Sequence, residues 1–177
     1  MLLEHCRALA RYNTWMNDKL YAVAGELSDE QRKRDVRAFF RSIHGTLNHV
    51  LLADRLWLQR FTGDAATFAS RDASGQPIAV TGLNQVLYED FAELTRERRS
   101  TDAHLASWID SLDEARLSGE LAFTRLDGQV CRTPLWWAVS HCFNHQTHHR
   151  GQVTTLLSQM GKDPGVTDLF AMFLQRG

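Results

Sequence analysis

Four of the chain's eight histidines fall within nine residues, at His141, His145, His148 and His149. On a helix advancing by about 100° per residue, His141, His145 and His149 follow at i, i+4 and i+8 along one stripe, and His148 turns toward the polar side. His145 and His149 matter most, because imidazoles at i and i+4 converge on a single divalent cation. Such pairs also occur on surface helices that bind no metal, so the spacing alone leaves both readings open. The pair borders an apolar face of Val139, Cys142, Val153, Leu156 and Met160, which favours an interior site. Two imidazoles do not complete a tetrahedral or octahedral site. At least one more ligand has to come from another segment.

The element that carries these residues reads as one long helix from Thr133 to Met160. Thr133 is placed as its N-cap, Pro134 at the first helical position and Gly161 as a left-handed C-cap. Residues 2 to 25 show helical periodicity, followed by a charged connection from Ser28 to Asp35. A second helix is expected from about Phe39 to Phe61, apolar around much of its circumference and therefore central. Small and polar residues from Gly63 to Gly82 form an irregular loop. A third helix is expected from 83 to 112, its middle, TRERRSTDAH, being a solvated face. Asp127-Gly128 between two alternating stretches marks a hairpin within 119 to 133, and a short amphipathic segment runs from Asp168 to Gln175.

Four long helices, a hairpin between the third and fourth and a long crossover loop describe one all-α domain over residues 1–177, a four-helix bundle. Bundles build metal sites from side chains on facing helices, which directs the search for the third ligand to the second helix. His49 is the candidate there, because it shares a face with Leu52, Ala53 and Leu56, whereas His44 falls well away from it. A lone histidine on an apolar helix is ordinarily a core residue. Its coincidence with an HxxxH helix is what favours ligation here.

Composition narrows the function classes. A net charge of −1 gives no electrostatic basis for binding nucleic acid or an anionic membrane surface, and no apolar run approaches the length of a membrane span. The start, MLLEHCRALARY, is too polar for a signal-peptide core. Cys6, Cys131 and Cys142 form neither an even framework nor a CxxC pair, which fits plain thiols in a reducing, cytoplasmic setting.

NHVLLADRLW (Asn48 to Trp57) together with HCFNHQTHHRGQV (His141 to Val153) closely resembles the DinB family, and ARYNTWMNDKLY and LLSQMGKDPGVTDLFAMF fit that family's first helix and C-terminal segment. The resemblance spans nearly the whole chain. It implies an up-down-down-up four-helix bundle, commonly a homodimer, with one divalent metal (zinc or nickel) held by His49, His145 and His149. Arg150, Gly151 and Gln152 match the family's RGQ. Gly151 is then read as a small residue permitting close helix packing, and Arg150 and Gln152 either as holding the first helix or a dimer partner or as ordinary polar helix residues. His141 is read as lining the pocket. Tyr12, Asn13 and Trp15 are candidates for the cavity mouth, with a core role as the alternative.

The resemblance also suggests chemistry. Family members include thiol S-transferases and an isomerase that use low-molecular-weight thiols such as mycothiol or bacillithiol, so a thiolate attacking a small electrophilic substrate is the most concrete implied reaction. A metal-dependent hydrolase and a non-catalytic metal-binding stress protein are the alternatives. The family's name reflects damage-inducible expression, which specifies no chemistry. There is no HExxH, so a protease-type hydrolase is disfavoured.

Overall fold

The computed structural model describes residues 1–174. In chain order the elements are α1 (Leu2–Gly25), α2 (Asp29–Lys33), α3 (Ile43–Thr62), α4 (Phe91–Asp110), α5 (Glu114–Ser118), β1 (Glu120–Thr124), β2 (Val130–Pro134), α6 (Leu135–Gln159) and α7 (Leu169–Leu174). Four of these are long. Helix α1 packs against α4 and α6, and α3 packs against α4 and α6, so the four close into a ring. Their directions follow from two apolar clusters. The first takes Leu3 and Cys6 of α1, Leu58 and Phe61 of α3, Leu105 and Ile109 of α4, and Leu135 to Phe143 of α6. The second takes Met16 and Leu20 of α1, Ile43 and Leu47 of α3, Leu94 of α4, and Val153 to Leu157 of α6. Helices α1 and α6 therefore run from the first cluster to the second, while α3 and α4 run back.

Several boundaries differ from the sequence expectation, each for a local reason. Helix α3 starts at Ile43, because the Ser42 hydroxyl accepts the Gly45 N–H at 3.0 Å. The residues before it turn sharply, with Arg37 and Arg41 at positive φ (59° and 68°). The charged connection contains α2, closed by a capping box between Ser28 and Gln31. Residues 83 to 90 are not helical, although Leu83, Val86 and Leu87 follow a helical rhythm. Asn48 of α3 captures their backbone instead: its side-chain oxygen accepts both the Leu87 and Tyr88 N–H groups at 2.9 Å. Helix α4 then starts at Phe91, capped by Asp90.

The hairpin lies between α5 and α6, since the short helix α5, capped by Asp113, separates it from the third long helix. Its strands pair antiparallel with Thr124 opposite Val130. Gly128, at φ 82°, closes the turn by donating to the Arg125 carbonyl at 3.0 Å. Thr133 is not a cap. It belongs to β2, which runs straight into α6, and the Leu135 N–H donates to the Gly119 carbonyl at 2.8 Å. At the other end Gly161 does take the left-handed conformation (φ 73°), and the Lys162 and Gly161 N–H groups bond to Leu157 and Ser158 in a Schellman arrangement. Gln175, the expected end of the tail segment, lies outside the described residues. Among those residues no helix is long and apolar enough to cross a membrane.

The largest departure is inside the ring. TRERRSTDAH is not simply a solvated face, because Arg98, Thr101 and Asp102 are buried. Arg98 donates to Asp54 at 2.5 Å and to Asp102 at 2.8 Å, and Asn13 and Asn17 of α1 donate to the same Asp102 carboxylate. Gln146 accepts from Asn17 and from Arg150 of α6, and Arg150 also donates to Asn13. Two arginines and two aspartates balance in charge, so each helix contributes to a paired polar layer between the two apolar clusters. Helical periodicity cannot reveal such a layer, because it occupies core positions with polar residues.

Candidate metal centre

Next to that layer, α3 and α6 face each other with histidines. His49 of α3 meets His145 and His149 of α6, one turn apart on their helix, and the three form a single cluster of potential metal ligands. His145 Nε2 lies 3.2 Å from His49 Nε2 and 3.0 Å from His149 Nε2. Three nitrogens about 2.0–2.1 Å from one cation stand roughly 3.0–3.4 Å apart, so these two edges have the length that a divalent transition metal needs, and all three ligand atoms lie within 4.8 Å of one another.

The outer nitrogens fix the tautomers. His49 Nδ1–H donates to the Leu83 carbonyl at 2.7 Å, and His149 Nδ1–H donates to the Gln152 side-chain oxygen at 2.8 Å. Both acceptors lack protons to give, so each ring carries its hydrogen on Nδ1 and turns the Nε2 lone pair inward. His145 Nδ1 is buried without a partner. Even with the His145 proton on Nε2, one hydrogen must serve two Nε2 contacts, a deficit that a cation resolves. Burial, opposed by the bond to Leu83, lowers the His49 pKa to about 4, and burial with the neighbouring imidazoles lowers that of His145 to about 3. His149 is lowered as well, chiefly by burial. All three are neutral at physiological pH, the state a metal requires.

Phe40 covers one side of the cluster. Its ring stacks on His49 with centroids 3.8 Å apart and meets His149 edge-on at 5.4 Å. Nothing in the sequence singled it out. The one available signal was Gly45, where an added Cβ would stand 2.2 Å from the Phe40 carbonyl oxygen, so the turn before α3 is folded tightly onto the helix. The Leu83 carbonyl was equally hidden, because it depends on residues 83 to 90 leaving the helical path.

The other flank opens into a cavity of about 550 Å³ between α3, α6 and the hairpin, lined by His49, His145, His141, Trp57, Phe123 and Arg60 among others. His141 lines this cavity, 6.0 Å from His145 ring to ring, and is not one of the clustered ligands. His148 stays exposed. His44 is buried elsewhere, bonded to the Tyr88 carbonyl at 2.9 Å.

The remaining candidates divide. Arg150 reaches α1, donating to Asn13 and lying over the Tyr12 ring, whereas Gln152 serves His149 and does not reach α1. Gly151 is not a packing glycine, because a Cβ there would meet nothing within 4 Å. Tyr12 and Asn13 do not line the cavity. The Tyr12 hydroxyl donates to the Thr167 carbonyl, and Asn13 is buried in the polar layer.

Comparisons with known proteins converge on one family. The chain is 27% identical over 161 residues to Protein DinB of Bacillus subtilis (strain 168), covering 90% of this chain and 88% of that protein. Its fold resembles the crystal structure of a DinB-like protein from Bacillus cereus, with a TM-score of 0.59 at 18% identity over 86% of this chain and 91% of the other. The sequence model of the DinB family matches residues 2–175, nearly end to end, and the chain belongs to that family.

Proposed function

We propose that the chain is a divalent-metal-dependent enzyme that uses a low-molecular-weight thiol in S-transfer to, or isomerisation of, a small electrophilic molecule. The observation that carries this reading is the convergence of three neutral Nε2 atoms beside an open cavity. Zinc or nickel suits an all-imidazole donor set. A divalent cation held there supplies Lewis acidity and lowers the pKa of a thiol or water presented to it. His49, His145 and His149 hold it and add no negative charge, so its full charge acts on the incoming group. Leu83 and Gln152 keep the imidazoles oriented, and Phe40 keeps water from one flank. Trp57 and Phe123 offer an apolar surface for the body of the substrate. The lining contains no carboxylate adjoining the triad, which fits a nucleophile that needs no separate general base.

A homodimer is part of the proposal. Trp15, Trp57, Trp108 and Trp136 pack partly against the chain's own core, while Trp137 is exposed and available for such an interface. Light scattering at micromolar concentration should return twice the chain mass, and a monomer removes that element. A reducing compartment fits the three free cysteines.

The test of function combines metal analysis with turnover. Purified protein should carry close to one transition metal per chain, and the metal-loaded form should consume a general electrophile with one thiol of a panel of glutathione, bacillithiol and mycothiol. The metal-stripped form should not. Ester hydrolysis without thiol turnover would instead favour a hydrolase, and neither activity would favour a metal-binding role without catalysis.

A further inference from the structure

The cavity beside the triad has a second polar end. On α3, His49, Ala53, Leu56 and Arg60 follow at i, i+4, i+7 and i+11, all on one face, and all four line the same cavity. Arg60 therefore shares the cavity with the metal ligands His49 and His145. Its guanidinium lies over the rings of Trp57 and Phe123, 4.7 and 4.9 Å from their centroids. Among the described residues it has neither a hydrogen-bond partner nor a carboxylate within ion-pair distance. The acid nearest in the lining, Asp127, is already engaged by Arg125 at 3.1 Å. Arg60 is also half-buried, and burial followed by the charge of Arg125 lowers its pKa, as expected of a cation lacking a counter-charge. A guanidinium partly removed from water, lying over two touching rings and lining a cavity, has a planar fork of donors left to satisfy.

Resting on the thiol reading above, we propose that Arg60 anchors a carboxylate of the ligand whose other end reaches the triad. The ligand class is then a small monoanion with an apolar, preferably flat, body: carboxylate on Arg60, body against Trp57 and Phe123, and reacting group at His49, His145 and His149. One unpaired guanidinium matches one carboxylate in a bidentate pair, whereas a phosphate dianion would keep acceptors and charge unmatched. Trp57 lies eight residues beyond His49, about 12 Å along the helix axis, and side chains lean toward the helix N-terminus, so the two ends are separated by a span on the order of 10 Å. Arg60 is a specificity-determining residue in this account. It fixes the distal end of the ligand and takes no part in metal binding.

The test uses three probes: 4-(mercaptomethyl)benzoate, benzyl mercaptan and 4-methylbenzoate. Calorimetry on the zinc-loaded protein should show the carboxylate thiol binding about tenfold tighter than benzyl mercaptan, the increment of one charge-assisted pair. The advantage should shrink as salt rises, vanish in Arg60→Gln and survive only in part in Arg60→Lys, which keeps the charge and loses the fork, with metal content unchanged in both. Equal binding of the two thiols to the unsubstituted protein overturns the proposal, as does an advantage that persists in Arg60→Gln. Cobalt-loaded protein separates this from the thiol reading, because sulfur ligation produces a charge-transfer band. If neither thiol gives the band but 4-methylbenzoate still binds in an Arg60-dependent way, the anion subsite stands and the thiol reading falls. If both thiols give the band with equal affinity, the thiol reading stands and the subsite falls.

Discussion

Two buried polar clusters sit side by side in this protein, both drawing on α3 and α6, and they are built on opposite terms. In the layer around Arg98, donors meet acceptors and positive charges meet negative ones: Asp54, Asp102, Asn17 and Gln146 each find partners within the ring. In the triad, three Nε2 atoms converge, and the bonds that orient two of the rings run outward from Nδ1–H to Leu83 and Gln152. The first arrangement balances its charges within the ring, although Arg98 Nε, Arg150 Nε and Gln146 Nε2 are buried without a partner. The second is complete only with a cation. Burial of polar groups therefore does not by itself mark a functional site; potential ligand atoms converging on one point do.

If that contrast is right, perturbing the layer should cost stability, and perturbing the triad should cost metal. The largest effect is expected from Arg98→Met, which leaves two buried carboxylates unpaired and should destabilise the fold by about 3–5 kcal/mol in urea unfolding. The protein that remains folded should still bind metal. A change below about 1 kcal/mol would mean that the layer is solvated and the contrast false.

His145→Ala or His149→Ala should lower metal affinity more than about 100-fold, the upper end of what even a supporting partner is worth. Stability without metal should be nearly unchanged. His49→Ala should do the same from the other helix, and full occupancy in that variant would dissolve the triad. His44→Ala, and His104→Ala on α4, both outside the cluster, should leave metal content intact.

Gln152→Ala sharpens the comparison, because it touches the centre only through His149. It should cost about 10–100-fold in metal affinity and should not change the number of sites. An affinity equal to that of the parent would show that the Nδ1–H bond does not orient the ring.

The pH dependence of the metal-free protein has a definite sign. An unfolded imidazole takes up its proton near pH 6.5, whereas folded His49 and His145 do so only at about 4 and about 3. Between those limits the unfolded state binds more protons, so stability falls as the pH is lowered from about 6.5 toward 3. Denaturant midpoints measured across that range should show this slope, and His145→Asn should flatten it.

The smallest effect belongs to Gly151→Ala. With nothing near the added methyl, the substitution should stabilise α6 by about 0.5–1 kcal/mol through helix propensity alone and leave metal binding untouched. A destabilised variant would reveal a surface that covers Gly151 only in an assembly.

The sequence by itself determined the helical character, the long α1 and α6, the hairpin at Asp127-Gly128 and the choice of His49, His145 and His149. The helices rest on periodicity, the hairpin on its turn residues and the His145–His149 pair on i, i+4 spacing, all of which one segment expresses without its neighbours. His49 followed only from the expectation that bundle sites join facing helices. Only the tertiary structure decided what a side chain from one helix does to the backbone of another. Asn48 turned residues 83 to 90 away from the helix their apolar rhythm promised, and that diversion placed the Leu83 carbonyl behind His49. Ring closure likewise decided that Arg98 and Asp102 are interior, since a polar residue on a helix is solvated unless three other helices supply its partners. Phe40 and Arg60 belong to the same class, because their roles depend on a turn folded onto α3 and on a hairpin closing the far side of a cavity.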